Sequence, residues 1–111
     1  MEKTIFEKII AKEIPSEIIF ENSDTIVIND NQPQAPVHCI VITRKRFCNI
    51  VEMEPSIFGS VQQAIIETVR IKGISRSGYR IVTNVGENGR QSVAHLHFHV
   101  LGGVQLSSRI G

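Results

Sequence analysis

The run "AHLHFHVLGG", residues 94–103, constrains the fold of this chain more than any other stretch. From His95 to Val100 an imidazole alternates with an apolar side chain. An α-helix would scatter such a pattern around its axis, whereas a strand sends residues i, i+2 and i+4 to one face, spaced by roughly 6.6–6.8 Å. His95, His97 and His99 therefore form a row, and Leu96, Phe98 and Val100 form an apolar back that another layer must cover. The row takes three of the chain's four histidines. Thr, Lys or Glu would serve equally on a merely polar face, so the row points to chemistry.

The remaining segments supply the partners such a strand needs. "TIFEKIIAKE" predicts a short helix with Thr4 as N-cap and Pro15 as a stop shortly after. "SEIIFENSDTIVIND" predicts two strands around Asn22-Ser23-Asp24, and "VHCIVIT" a third, with His38, Ile40 and Ile42 on one face. "PSIFGSVQQAIIETVRIKG" predicts one long helix, Pro55 to Lys72, with an apolar stripe of Ile57, Phe58, Val61, Ala64, Ile65, Thr68 and Val69. Gly73 is its expected C-terminal stop. "GYRIVTN" and "AHLHFHVLGG" close the chain as strands. Sparse helices and mostly short strand connections predict an α+β domain, a five-stranded antiparallel sheet with both helices on one face. At 111 residues, 41% of them hydrophobic, the whole chain 1–111 is expected to form a single domain.

Composition excludes several classes. The formal net charge is +1, and Arg44-Lys45-Arg46 is the only basic run, so nucleic acid is not an expected partner. No apolar stretch approaches the roughly 20 residues that span a bilayer, and the N-terminal residues lack the apolar core of a secretory signal. The two cysteines, Cys39 and Cys48, do not make a disulfide framework. The expected compartment is a reducing cytoplasm.

Two chemistries compete for the histidine row. His-x-His on a strand can ligate zinc, but the sequence offers His38 and little else as a further ligand, so zinc is not favoured and no cofactor is required. The other is nucleophilic attack on phosphorus, for which an imidazole with an ordinary pKa of about 6.5 is largely neutral and competent. The segment "NVGENGRQS" favours the second. Gly86 and Gly89 let backbone N–H groups approach an anion, and Asn84, Gln91 and Ser92 add side-chain donors. A plain turn is the competing reading of that loop. Likewise Asn29, Asp30 and Asn31 also fit a turn cluster before Pro33.

"QSVAHLHFHVLGG" resembles the signature of the histidine triad (HIT) family. The likeness extends through "TIFEKIIAKEIPSEIIFEN", "NDNQPQAPVHCIVITRK" and "GYRIVTNVGENGRQS", and "HVLGG" is similar to the Hint branch. The resemblance implies cleavage of purine nucleoside 5′-phosphoramidates through a nucleotidyl-histidine intermediate. The alternative is a nucleotide-binding scaffold or sensor with little turnover. It also implies His97 as nucleophile, His99 as phosphate contact and proton donor, and His95 and His38 as their orienting partners. Asp30 matches the acid that binds the ribose hydroxyls, and Asn31 the neighbour that touches the nucleoside. Asn84, Gly89, Arg90, Gln91 and Ser92 match the phosphate side. A homodimer is implied too, its sheets joined edge to edge and the long helices packed together, with Ile66 and Ile71 outside the main stripe. Arg90 stands where many relatives carry a small residue, Asn31 where an aliphatic residue is usual, and the chain contains no Trp.

Overall fold

A computed structural model describes residues 2–110. Helix α1 spans Ile5–Ile10. Its start is a complete capping box, in which the Thr4 hydroxyl accepts from the Glu7 N–H and the Glu7 carboxylate accepts from the Thr4 N–H. Strands β1 (Ile18–Glu21) and β2 (Thr25–Asn29) follow as an antiparallel pair. The Asn22 side chain closes their turn by accepting from the backbone of Asp24 and Thr25. β3 covers Val37–Thr43. A 3₁₀ turn at Pro55–Ile57 leads into helix α2, Phe58–Ile71, which gives way to Gly73 at φ +72°. β4 (Tyr79–Val82) and β5 (His97–Gly102) complete an antiparallel sheet of order β1-β2-β3-β5-β4. The expected α+β, five-stranded architecture is the one observed.

The two helices, however, lie on opposite faces of the sheet. Val61, Ala64 and Val69 of α2 pack on Val27, Cys39, Val41, Leu96, Phe98 and Val100. Phe6 and Ile9 of α1 pack on Ile26, Ile28, Ile40 and Ile42 on the other face. This corrects the expectation of two helices on one face. β2 and β3 are apolar on both sides, so each side requires a cover. The apolar back of the histidine strand belongs to the α2 layer, and the histidines belong to the α1 layer.

Two smaller corrections concern one strand boundary and one side chain of α2. β5 begins at His97, so His95 lies in the bend before it, held by the Leu96 N–H on the Phe47 carbonyl at 2.7 Å. The in-out alternation survives this bend, since Leu96 is buried under α2 while His95 meets Phe6. Phe58, expected inside the stripe of α2, is 52% exposed. Among the described residues no helix is long and apolar enough to cross a membrane.

Candidate functional site

β5 carries His97 and His99, and β3 carries His38 on the same face, with Ile40 paired to His99 and Ile42 to His97. Their hydrogen-bond partners fix the tautomer of each ring. The Gln34 N–H donates to Nδ1 of His38 at 3.0 Å, so His38 carries its hydrogen on Nε2. That Nε2–H donates to Nδ1 of His99 at 2.9 Å, and Oδ2 of Asp30 lies 3.3 Å from it. His99, accepting on Nδ1, then carries its own hydrogen on Nε2. His95 donates from Nε2 to the Thr43 carbonyl at 2.6 Å and accepts on Nδ1 from the Thr4 hydroxyl at 3.0 Å. His97 donates from Nδ1 to the His95 carbonyl at 2.7 Å, which leaves a lone pair on Nε2.

Burial keeps these rings neutral. Desolvation lowers the pKa of His38, His95 and His97, and it outweighs the opposing pull of the Asp30 carboxylate on His38 and His97. His99 is pushed to about 4, by desolvation first and then by His97 and His38 beside it. At neutral pH the row therefore offers one nucleophilic nitrogen, on His97, and one ring N–H outside the network, on His99. The rings of these two lie 5.1 Å apart, centroid to centroid.

The loop before the row departs from its expected role in part. Gly86 has φ +69° and Arg90 φ +59°, and a Cβ at Gly89 would sit 2.4 Å from the Val85 carbonyl oxygen, so the turn is tight. The Gln91 side chain spends its amide inside the loop. Its Nε2 donates to the Cys48 carbonyl at 2.6 Å and the Val93 carbonyl at 3.0 Å, and its Oε1 accepts from the Gly86 N–H at 3.1 Å. Both donor hydrogens of Gln91 are taken within the protein, so in this arrangement the residue braces the loop. The backbone N–H groups of Gly86, Arg90 and Gln91 are likewise used within it. Asn84 is half-buried and Ser92 and Arg90 are exposed. The ring nitrogens of the four histidines are bonded to Thr4, Gln34, Thr43, the His95 carbonyl and one another, so Asn84, Ser92 and Arg90 stand outside that network.

The matched family decides the identity of this arrangement. The model of the HIT domain matches residues 11–106. This chain belongs to the HIT family. An uncharacterized HIT-like protein of Helicobacter pylori is 40% identical over 99 residues, 89% of this chain and 95% of that one. A second, from Chlamydia muridarum, is 41% identical over 107 residues, 95% of this chain and 85% of that one. Among solved structures, a HIT family hydrolase from Clostridium thermocellum matches with a TM-score of 0.93 at 38% identity, covering 99% of this chain and 98% of that one.

The HIT fold here also carries a cleft that the sequence did not reveal. It has a volume of about 430 Å³ and runs between α1 and the sheet. Ile5, Phe6 and Ile9 line one side, Ile28 and Ile40 the other, and Asp30 and Asn31 supply polar lining. Phe6 stands edge-on to His97 at 4.8 Å between ring centroids, so the apolar cleft abuts the row. The pattern of "TIFEKII" announced a helix but not which layer it would join, and the cleft depends on that choice.

Asp30, His38 and His99 each bring one metal-type donor atom within 4.8 Å of the others. A tetrahedral zinc with bonds of about 2.0–2.1 Å sets its donors roughly 3.3 Å apart. The two ring nitrogens lie at 2.9 Å, a hydrogen-bond separation. The trio is arranged as a proton-sharing chain, and a metal would have to open it.

Proposed function

We propose that this HIT protein hydrolyses purine nucleoside 5′-phosphoramidates, such as adenosine 5′-phosphoramidate, at the α-phosphorus to give a nucleoside monophosphate. The observation that carries the reading is the proton placement in the row. His97 has a bare Nε2 backed by a neutral ring, and the neighbouring His99 has an N–H left over. The name of the Clostridium thermocellum hydrolase supports hydrolysis, and the cleft supports a nucleoside. A flat base fits between the aliphatic side chains, and a carboxylate such as Asp30 accepts from both hydroxyls of a ribose.

In the first step His97 Nε2 attacks phosphorus and the P–N bond breaks. The leaving nitrogen departs as a neutral amine with one proton passed through His99 Nε2, which solvent replenishes. His95, through its carbonyl, holds the His97 hydrogen on Nδ1 and steadies the imidazolium that forms. In the second step water attacks phosphorus and gives a proton to solvent, and the P–Nε2 bond breaks to return His97 as the neutral imidazole with its hydrogen still on Nδ1. Two moderate barriers replace one high barrier. Asn84, Ser92 and the Gly89–Arg90 turn serve the non-bridging oxygens, and Asn31 borders the nucleoside.

The protein acts in this reading as a cytoplasmic homodimer. β4 is a free edge of the sheet, and beside it Phe58, Ile66, Tyr79 and Ile81 are exposed around a groove of about 400 Å³. An edge strand flanked by apolar side chains invites a second copy. The test of the activity is AMP release from adenosine 5′-phosphoramidate. His97→Ala is expected to lose at least about a thousandfold in kcat, the scale of a lost nucleophile. Equal rates for the two proteins would remove His97 from the mechanism.

A further inference from the structure

We infer that Thr4, the N-cap of α1, is a positioning residue that sets the tautomer of His95 and through it the aim of His97. The inference rests on the reading of His97 as nucleophile. A capping threonine needs only to accept from the helix, and Oγ1 of Thr4 does so from the Glu7 N–H at 3.1 Å. That bond uses a lone pair and leaves the single hydroxyl hydrogen for another partner. The hydrogen goes to Nδ1 of His95, 3.0 Å away and 91 residues distant in sequence. His95 is fully buried, so its Nδ1 has no recourse to water.

The consequence runs through two further bonds. With Nδ1 accepting, Nε2 of His95 bears the hydrogen that reaches the Thr43 carbonyl at 2.6 Å. Were the hydrogen on Nδ1 instead, two lone pairs would face each other at that distance and the ring would have to move. The His95 carbonyl, which receives the His97 Nδ1–H at 2.7 Å, belongs to the same residue. The cap is also fastened in place. Glu7 closes the box on the Thr4 N–H at 2.9 Å and meets Arg46 Nη1 at 3.3 Å, and Arg46 Nε donates to the carbonyl of Ala94, next to His95. The helix that lines the nucleoside cleft and the row that performs the chemistry are thus one hydrogen-bonded unit, joined at a hydroxyl.

Two variants separate this role from capping. Thr4→Ser keeps both the acceptor and the hydrogen. Thr4→Asp caps a helix as well as threonine does but is ionised at neutral pH and cannot donate. The full chain is assayed with adenosine 5′-phosphoramidate, and ¹⁵N shifts of the histidine rings report each tautomer. Thr4→Ser is expected to keep its activity and a hydrogen-free His95 Nδ1. Thr4→Asp is expected to keep its melting temperature and KM, to lose about tenfold or more in kcat, the scale known for partners that orient metal-ligating histidines, and to show His95 protonated on Nδ1. An unaltered kcat and His95 spectrum in Thr4→Asp would overturn the inference, as would an equal loss in Thr4→Ser. If the wild-type protein turns over no phosphoramidate, the function reading fails by itself. The ring shifts then still decide, and a hydrogen-free Nδ1 in Thr4→Asp overturns the positioning role.

Discussion

At the scale of single residues, the chemistry depends on where four protons sit. His38, His95 and His97 are assigned by neighbours that the histidine pattern does not announce, the Gln34 N–H, the Thr43 and His95 carbonyls and the Thr4 hydroxyl, and His99 is assigned in turn by His38. The row itself was legible because alternation is a local property. The proton map was not, because its partners are backbone groups and a distant cap. Burial gives this map a measurable signature. A histidine whose pKa is about 6.5 unfolded and is lowered in the fold binds its proton preferentially in the unfolded chain. Its stabilising contribution is complete above about pH 6.5 and is lost as pH falls toward the folded value, about 4 for His99. The melting temperature is therefore expected to drop between pH 7 and pH 4, and His99→Gln is expected to flatten that drop. Identical pH dependence in the two proteins would contradict the burial argument.

At the scale of elements, the decisive fact is the position of α1. A helix of six residues is unstable alone, so it exists here because Phe6 and Ile9 are buried against the sheet. The apolar character of β2 and β3 on both faces was present in "TIVIN" and "VHCIVIT". The histidine strand, apolar on one side only, signals a single cover and carries no sign of the second face. Phe58 is exposed for a related reason: helical spacing sets its angle around α2 but not whether the sheet beneath extends that far. Truncation of Phe6, 6% exposed, is expected to cost roughly 3–5 kcal/mol in a urea titration, the range for a buried phenylalanine. Phe6→Leu should recover much of it. An unchanged urea midpoint for Phe6→Ala would mean that α1 does not anchor this face.

At the scale of the whole molecule, strand order separates the cleft from the β4 edge. The cleft lies over β2 and β3, while β4 is one edge of the sheet, with β5 and its histidines between them. Ile81 on that edge is 47% exposed beside Phe58 and Ile66. Sedimentation of the wild-type protein should give twice the chain mass, and Ile81→Asp should give the monomer with its melting transition still cooperative. A wild-type monomer at micromolar concentration would remove the dimer from the account.

The central claim is a covalent bond between phosphorus and His97, and trapping that bond tests it most directly. The protein is mixed with adenosine 5′-phosphoramidate, quenched in alkali, where phosphorus–imidazole bonds persist, and mapped by peptide mass spectrometry. The account predicts a nucleotidyl group on the peptide containing His97, located on that residue and absent from His97→Ala. Turnover with the adduct on a different histidine, or continued turnover of His97→Ala, would contradict it.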